Sequence, residues 1–485
     1  MSRMGRLLGL ADATPEGLRL GVTIASLIPI FSVTFQLSTT FWMIFIAEQL
    51  GNGDYLVGMG LVGVLLVIQN VTQTILDYPT GSLGDTIGHK YVIASALLCY
   101  TMAYWITSIC TPQSPFWLFA LIYFFLGLGA SQESGAWGSW FDNNYRIAMP
   151  NDKDRKQYGV FQGRLGMISQ IFATLIIIPG SVIALIMQRT WVFQLQGFLM
   201  IFLAIIILRV LNDLPGARPE QNENPTIREY FANMKEGLLF LKSSRFISIF
   251  FLGEVILYSV GPVWGSLMLW PLYFAYLFTD IGVSGFRTLM FAPLAVTTER
   301  SGVWAKKYEP KEWIPKFRFL GFVGAAFCGI LVAILTVFPP PAEQGDVYSV
   351  IIPGTTIPIF EFPVATVIPV VLIAILFIVT SLFGGIGGIL TQRVLIDVIP
   401  NKIRNGVYSL RASLTILASL PLMPFFGWLT PAFGYSASFT FFFIIATIGT
   451  ILTWWAFKHP IPKAKDLEII LESEEAADID IVEAT

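Results

Sequence analysis

The stretch Gly81-Ser82-Leu83-Gly84-Asp85-Thr86-Ile87-Gly88-His89-Lys90 separates two long apolar runs in the first quarter of the chain. Its glycines permit a tight turn, because glycine adopts backbone conformations that other residues avoid. Asp85 can accept hydrogen bonds from backbone N–H groups at the start of a neighbouring helix. The stretch therefore predicts a short polar turn between two closely packed apolar helices.

The apolar runs beside this turn belong to a series that continues along the chain. Of the 485 residues, 55% are hydrophobic and only 13% are charged, whereas a soluble domain carries about twice that charge. A helix needs about 20 apolar residues to cross the hydrocarbon core of a membrane. We therefore predict an all-α membrane protein with twelve transmembrane helices, at 20–47, 55–76, 91–110, 116–141, 158–187, 191–211, 246–278, 283–303, 317–338, 364–396, 407–433 and 437–457.

The distribution of positive charge indicates the orientation of these spans. With a cytoplasmic N-terminus, all of the 30 Lys and Arg residues except Arg189 and Arg287 lie in cytoplasmic segments or at the span ends beside them. Positive residues gather on the cytoplasmic side of membrane proteins. An odd number of spans would break the alternation between loops rich in Lys and Arg and loops poor in them. We expect both termini in the cytoplasm and the chain in the plasma (cytoplasmic) membrane. The net charge of −2 makes a nucleic-acid partner unexpected.

A short repeat divides the spans into two halves. Pro150-Asn151, Arg155 and the run from Gly159 to Arg164 follow the fourth span; the matching residues after the tenth are Pro400-Asn401, Arg404 and the run from Gly406 to Arg411. Both copies contain Pro-Asn, a basic residue and Gly-Val-aromatic-x-x-Arg, so Arg164 and Arg411 should occupy equivalent places at the inner mouths of the fifth and eleventh spans. Parallel repeats of this kind are a known transporter plan.

Five segments follow from the spans and the repeat. Apolar residues recur at helical spacing near the end of the polar stretch between the halves, which predicts an amphipathic helix on the membrane surface; a mobile soluble linker is the alternative. The segments are a cytoplasmic N-terminal segment at 1–19, a first six-helix bundle at 20–211, a linker at 212–245, a second bundle at 246–457 and an acidic cytoplasmic tail at 458–485.

Three ionisable residues lie inside predicted spans, where a charge is costly and usually marks a pathway or a partner. They are Glu133 in the fourth span, Glu254 in the seventh and Arg287 in the eighth. Each glutamate lies nine residues inside a cytoplasmic boundary, near the middle of the bilayer. One hypothesis is that they carry a coupling proton. The other is that each forms a fixed ion pair with a neighbour such as Arg164 or Arg411.

The turn at 81–90 resembles the signature loop of the major facilitator superfamily, which joins the second and third of twelve spans. Asp77-Tyr78-Pro79-Thr80-Gly81, and Ser134-Gly135-Ala136-Trp137 with Phe141-Asp142, resemble its drug-efflux-like branch. The resemblance implies two six-helix pseudo-repeat bundles and a gating role for Gly81, Asp85, Gly88, Lys90 and Asp142. The chain departs from the family at Thr86, where the loop usually has a basic residue, and the equivalent segment of the second half, 299–307, is degenerate.

In the fold that the resemblance implies, the first, fourth, seventh and tenth spans line a central cavity. Glu133 and Glu254 then become the candidates for proton coupling. The candidates for contact with a solute are Gln36, Gln132, Trp137, Tyr258, Trp264 and Arg287. Small residues recur in the fourth span from Gly127 to Ser139 and in the tenth from Gly384 to Gly388, which indicates close helix packing or a backbone opened toward a solute.

The sequence gives little support for an enzyme. Both histidines, His89 and His459, lie at the inner membrane boundary, and no glycine-rich phosphate loop is present. No catalytic residue, metal or cofactor is expected. The favoured function is secondary transport of a small organic solute by alternating access, as proton-coupled efflux by a monomer. The alternative is a transport-inactive protein that acts as a membrane receptor, a lipid-handling protein or an assembly partner.

The predicted topology can be tested by cysteine labelling in intact cells. In a background that lacks the three native cysteines, Gln344→Cys should react with an impermeant maleimide, because residue 344 lies in a predicted outer loop. Asn222→Cys lies in the predicted cytoplasmic linker and should react only after the membrane is opened. Labelling with the opposite pattern would overturn the orientation.

Overall fold

The structure is a computed structural model that describes residues 3–152, 154–217, 236–400 and 403–464. Most of the predicted linker helix, Asn401 of the repeat, and the acidic tail from residue 465 lie outside the described residues. The chain forms two compact units. The first contains Met1–Asn224, Leu277–Thr288 and Tyr348–Glu361; the second contains Pro225–Tyr276, Leu289–Val347 and Phe362–Thr485. Two short segments of the predicted second bundle therefore belong to the first unit.

Several predicted spans of the first unit consist of two helices in succession. The first span is α2 plus α3, the fourth is α6 plus α7, and the fifth is α8 plus α9. The helices are α1 (Arg3–Leu8), α2 (Pro15–Gln36), α3 (Trp42–Leu50), α4 (Tyr55–Ile87), α5 (His89–Ile109), α6 (Phe116–Glu133), α7 (Ala136–Ala148), α8 (Lys156–Leu175), α9 (Ile177–Met187) and α10 (Arg189–Val210).

The second half of the sequence repeats this pattern of interrupted spans. A π-helix at Trp264–Met268 interrupts the seventh span, and the turn from Gly321 to Gly324 divides the ninth. The helices are α11 (Arg245–Val263), α12 (Leu269–Leu277), α13 (Asp280–Ala305), α14 (Pro310–Leu320), α15 (Ala325–Val337), α16 (Val367–Val398), α17 (Arg404–Ser419) and α18 (Leu422–Ala456).

Eleven described helical stretches are long and apolar enough to cross a membrane. The last, Gly406–Ala456, has 51 residues, about twice what one passage needs. Its backbone is broken at Gly434, where φ is 80° and ψ is 173°. Because the predicted eleventh and twelfth spans lie on either side of this break, each of the twelve predicted spans overlaps one of the eleven stretches.

A small sheet between the ninth and tenth spans departs from the all-α prediction. Strand β1 (Val347–Ile351) pairs with β2 (Pro358–Pro363). Gly354 lies in the turn between them with φ of 79°, a value that glycine adopts without strain. Both strands are rich in β-branched and aromatic residues, which favour extended backbone.

The predicted turn at 81–90 is much tighter than the sequence suggested. Helix α4 continues through Ile87, and α5 begins at His89, so Gly88 alone separates the two helices. Gly88 has φ of 106°, in the region that other residues rarely adopt. The side chain of Asp85 lies outside the described residues.

Three of the four glycines of the tenth span, Gly384, Gly385 and Gly387, pack closely against other residues, whereas no atom lies within 4 Å of a Cβ built on Gly388. The small residues of the fourth span also differ in their surroundings. A Cβ on Gly387 would lie 2.9 Å from Cβ of Phe317, and one on Gly127 would lie 2.5 Å from the backbone oxygen of Gln69. Both glycines therefore allow close helix contact. Gly135 differs, since its φ is 77° and no atom lies within 4 Å of a Cβ built there.

Gly88→Ala should destabilise the protein by about 1–2 kcal/mol, because Ala at positive φ places its Cβ against the backbone. Gly81→Ala is the matched control. Gly81 lies inside α4, with no atom within 4 Å of a Cβ, so its change should leave stability equal or higher. The midpoints of thermal unfolding in detergent compare the two, and equal midpoints would contradict the strain assigned to Gly88.

Candidate solute and proton site

The fourth span is interrupted beside Glu133. Helix α6 ends at that residue and α7 begins at Ala136, so Ser134 and Gly135 form a non-helical break. Transporters often place substrate or ions at helices broken in this way, because the unwound backbone offers unpaired polar groups. The break makes the surroundings of Glu133 the first candidate site.

The segment at 77–80, at the end of the second span, forms hydrogen bonds with residues at and before this break. The hydroxyl of Thr80 donates to the backbone oxygen of Ser131 at 2.8 Å. The carboxylate of Asp77 accepts a hydrogen bond from the side chain of Ser134. The motif therefore supports the last turn of α6 and the first residue of the break.

The Glu133 side chain is half-buried, and no described residue forms an ion pair or a hydrogen bond with it. It interacts electrostatically with Tyr100 of α5. A carboxylate without a cationic partner in a membrane span needs water, a proton or a bound cation. Glu133 therefore fits the first hypothesis, that of a titrating or cation-binding group.

Aromatic rings cluster beside the helix break that follows Glu133. The centroid of Phe31 lies 6.0 Å from that of Trp137 and 6.4 Å from that of Tyr100, and Phe35 lies 5.4 Å from Tyr100. Nε1 of Trp137 is buried and has no hydrogen-bond partner in the described part of the chain. A carboxylate beside aromatic faces is a suitable environment for an organic cation, which both groups attract.

The two glutamine candidates also lie at interruptions of the backbone. Gln36 is the last residue of α2, and Gln132 is next to Glu133. Oε1 of Gln132 is buried without a partner among the described residues. Gln196 was not among the candidates, but its Nε2 donates to the backbone oxygen of Thr34 at 2.9 Å near the end of α2. Gln196 is fully buried, and it stabilises the first interruption.

Glu254 lies in different surroundings, in the core of the second unit. Its two oxygens accept hydrogen bonds from Nε and Nη2 of Arg318 at 2.7 and 2.8 Å. The side chains of this pair are only 1% and 3% exposed. Nη2 of Arg318 also donates to the hydroxyl of Thr391 at 2.7 Å. Glu254 therefore fits the second hypothesis, that of a fixed ion pair.

Tyr258 completes this buried cluster. It lies one helical turn after Glu254, and its hydroxyl accepts a hydrogen bond from Nη1 of Arg318. The guanidinium also lies 4.9 Å from the centre of the Tyr258 ring.

Trp264, another candidate, is 3% exposed. Its ring packs against those of Phe322, Phe327, Phe377 and Phe439 at centroid distances of 5.4–6.1 Å.

Arg318 was missed by the sequence analysis, which proposed Arg164 or Arg411 as the partner of a buried acid. The predicted ninth span began at residue 317, which placed Arg318 among the cations at its mouth. In the structure α14 begins at Pro310, so Arg318 lies inside the span. It shares the buried helix face with Ile314 and Phe317, and this 3–4 residue spacing was the signal that could have identified it.

The repeat arginines have other contacts. Nη1 of Arg164 donates to the backbone oxygens of Arg6 and Leu7, the latter at 2.5 Å, and so attaches α1 to α8. Arg411 interacts electrostatically with Tyr258. Each arginine lies in the first half of its helix. Arg287 is half-buried, and its Nη1 has no partner among the described residues.

The gating candidates are only partly brought together. Asp142 forms ion pairs with Arg155 at 2.6 Å and with Arg146 at 2.9 Å. Lys90 donates to the side chain of Asn212 at 3.3 Å. Asp142 is therefore held by arginines that follow it in the chain, and the gating role of these residues stays a prediction.

Arg189 is one of the two exceptions to the charge pattern. It is bound between two acids, at the end of the first unit that lies opposite the N-terminus. Its Nε and Nη2 donate to the two oxygens of Asp280 at 2.8 Å each, and its Nη1 donates to Glu48 at 2.5 Å. Its side chain is 19% exposed. The three residues form a charge-assisted network whose two carboxylates compensate the cation.

The fold is similar to that of several solved transporters. The crystal structure of the nucleoside transporter NupG covers 92% of this chain and 100% of its own, with 12% identity and a TM-score of 0.61. A bacterial homologue of the human lysosomal transporter Spinster covers 92% and 98%, with 11% identity and a TM-score of 0.62. The xylose transporter XylE from E. coli covers 93% and 99%, with 14% identity and a TM-score of 0.56.

The chain has the major facilitator fold. No protein-family model matches the sequence, and no curated protein matches it. At these identities the likeness concerns the architecture and not the solute or the branch of the superfamily. The expected multi-pass membrane fold with six-plus-six helices is therefore confirmed, while the residue roles depend on the local geometry described above.

The Glu254–Arg318 pair should be essential for stability. Glu254→Gln leaves Arg318 buried without its counter-charge and should cost about 3–5 kcal/mol, whereas the double change Glu254→Leu, Arg318→Met should recover most of that loss. Glu133→Gln is the control, because no described residue pairs with Glu133, and it should stay within about 0.5 kcal/mol of the parent. Thermal unfolding midpoints in detergent measure all three. A Glu254→Gln protein as stable as the parent would contradict the assignment.

Proposed function

We propose that this protein is a secondary transporter that exports a small organic cation in exchange for protons, with Glu133 as the group that both bind. The observation that carries the proposal is the half-buried carboxylate of Glu133, unpaired among the described residues, at a helix break beside aromatic rings. The similarity to solved transporters supports a transport fold. The motifs at 77–81 and 134–142 favour the drug-efflux-like branch.

Exchange follows from competition for one carboxylate. When Glu133 is ionised, it attracts a cation, and the neighbouring rings of Phe31 and Trp137 add cation–π attraction. When Glu133 is protonated, the electrostatic attraction is lost and the cation leaves. Alternating access of the site to the two sides of the membrane then couples proton entry to solute exit. We place the protein in the plasma membrane with both termini cytoplasmic, as a monomer, on the basis of its charge distribution.

Glu254 has a structural role in this proposal. Its carboxylate is already neutralised by the bidentate contact with Arg318, so protonating it would leave a buried arginine without its counter-charge. Such a change is too costly for a group that must titrate in every cycle. The coupling proton is therefore assigned to the first unit.

Transport can be tested in proteoliposomes with an acidic lumen, using N-methyl-4-phenylpyridinium as a permanently charged aromatic probe and a clamped membrane potential. The parent protein should accumulate the probe as protons leave. Glu133→Gln keeps the shape of the side chain but cannot titrate, so accumulation should fall to the level of protein-free vesicles. Glu16→Gln, a change at an exposed acid in the first turn of α2, should transport normally.

Two outcomes would contradict the proposal. Full accumulation by Glu133→Gln would exclude coupling through this carboxylate and make Asp77 the next acid to test. No accumulation by the parent protein would favour the alternative, a transport-inactive receptor, lipid-handling or assembly protein. Thr86 and the degenerate segment at 299–307 give that alternative its support.

A further inference from the structure

A groove lies on the surface of the second unit, between α14 and the end of α18. Its volume is about 960 Å³. The groove is located where the ninth span begins and the twelfth span ends, at the boundary that the charge pattern assigns to the cytoplasmic leaflet. None of the residues assigned to the solute or proton site lines it.

One end of the groove is basic. Lys311, Lys316 and Lys458 line it together with Glu309 and Glu312. Glu312 is already paired with Lys316 at 2.6 Å. The remaining charge is positive, so this end of the groove attracts an anion.

Tryptophans join this basic end to an apolar surface. Nζ of Lys458 lies 3.8 Å from the centre of the Trp454 ring, and Nζ of Lys316 lies 4.4 Å from that of Trp313. Trp side chains prefer the interface between headgroups and hydrocarbon, where their rings are apolar and their N–H groups are polar. The pairs therefore mark the depth at which lipid phosphates lie.

The rest of the groove is apolar and open. Phe319 is 47% exposed and Ile451 is 56% exposed, and both point away from the protein core at the level of the membrane. Exposed side chains of this kind, continuous with a basic rim, suit a ligand that has an anionic head and a hydrocarbon chain.

Thr450 supplies a second, independent indication of a ligand. It lines the groove one helical turn below Trp454, and its side chain is 8% exposed. Its hydroxyl oxygen is buried and has no hydrogen-bond partner in the part of the chain that the structure describes. A buried hydroxyl normally finds a partner, and a polar atom of a ligand in the groove would supply one.

We propose that this groove binds an anionic phospholipid from the cytoplasmic leaflet. Lys311 and Lys458 hold the phosphate, and Lys316, an ammonium with three N–H donors, contributes a further N–H beside its bond to Glu312. The hydroxyl of Thr450 donates to an ester oxygen of the glycerol region, and an acyl chain lies along Phe319 and Ile451. Basic pockets between transmembrane helices on the cytoplasmic side are a known means of binding such headgroups. The lipid would attach α14, which carries Arg318, to the end of α18.

Binding can be measured on the purified full chain by native mass spectrometry at increasing phosphatidylglycerol concentration. The parent protein should bind phosphatidylglycerol more tightly than phosphatidylcholine of the same chain length. Lys316→Gln with Lys458→Gln should weaken phosphatidylglycerol binding by about tenfold or more, since charge-assisted bonds to phosphate are lost. Thr450→Val, which keeps the shape and removes the donor, should weaken it by about threefold.

Controls separate this site from general attraction to anionic lipid. Lys156→Gln in the first unit, where the lysine side chain is 84% exposed, should leave binding unchanged. Soluble glycerol 3-phosphate should not compete, because it lacks the acyl chain. Equal affinity for phosphatidylglycerol and phosphatidylcholine, parental affinity in the double lysine variant, or competition by glycerol 3-phosphate would each overturn the proposal. Equally tight binding of phosphatidylethanolamine would overturn the requirement for net negative charge.

Discussion

The hydrocarbon core of the bilayer requires every backbone N–H and C=O group inside it to find a partner within the protein. This constraint accounts for the helices that make up most of the described chain. It also makes the interruptions of the spans informative. Each interruption leaves backbone N–H or C=O groups without helical partners, and another residue must form hydrogen bonds with them. Gln196 satisfies a carbonyl near the end of α2, and Thr80 satisfies one at the end of α6.

The two glutamates inside the spans differ in their partners. Glu254 receives two hydrogen bonds from Arg318, which also binds Thr391 and Tyr258, so its charge is compensated within a buried core. Glu133 adjoins a helix break and has no described partner. A compensated charge stabilises a unit, whereas an uncompensated one can exchange its proton for a cation. The two carboxylates therefore differ in their partners and not only in their burial.

Cationic side chains near the membrane boundaries have two further kinds of contact. Arg189 is bound by Glu48 and Asp280, which allows a cation at the end opposite to the one that positive residues favour. Lys316 and Lys458 instead lie against tryptophan rings at the rim of an apolar groove. The charge of Arg189 is compensated within the protein, whereas the two lysines lie at a groove on the protein surface.

The sequence by itself determined the features that depend on neighbouring residues. Hydropathy located the twelve spans, and glycine chemistry located the stretch at 81–90 that contains the turn, because both signals are local in the chain. The sequence also placed Glu133 and Glu254 in their spans, but it could not distinguish their surroundings. That distinction depended on Arg318, 64 residues from Glu254, and on the helix break at Gly135. Only the tertiary structure decided them, since ion-pair partners far apart in sequence and the φ of a single glycine follow from packing.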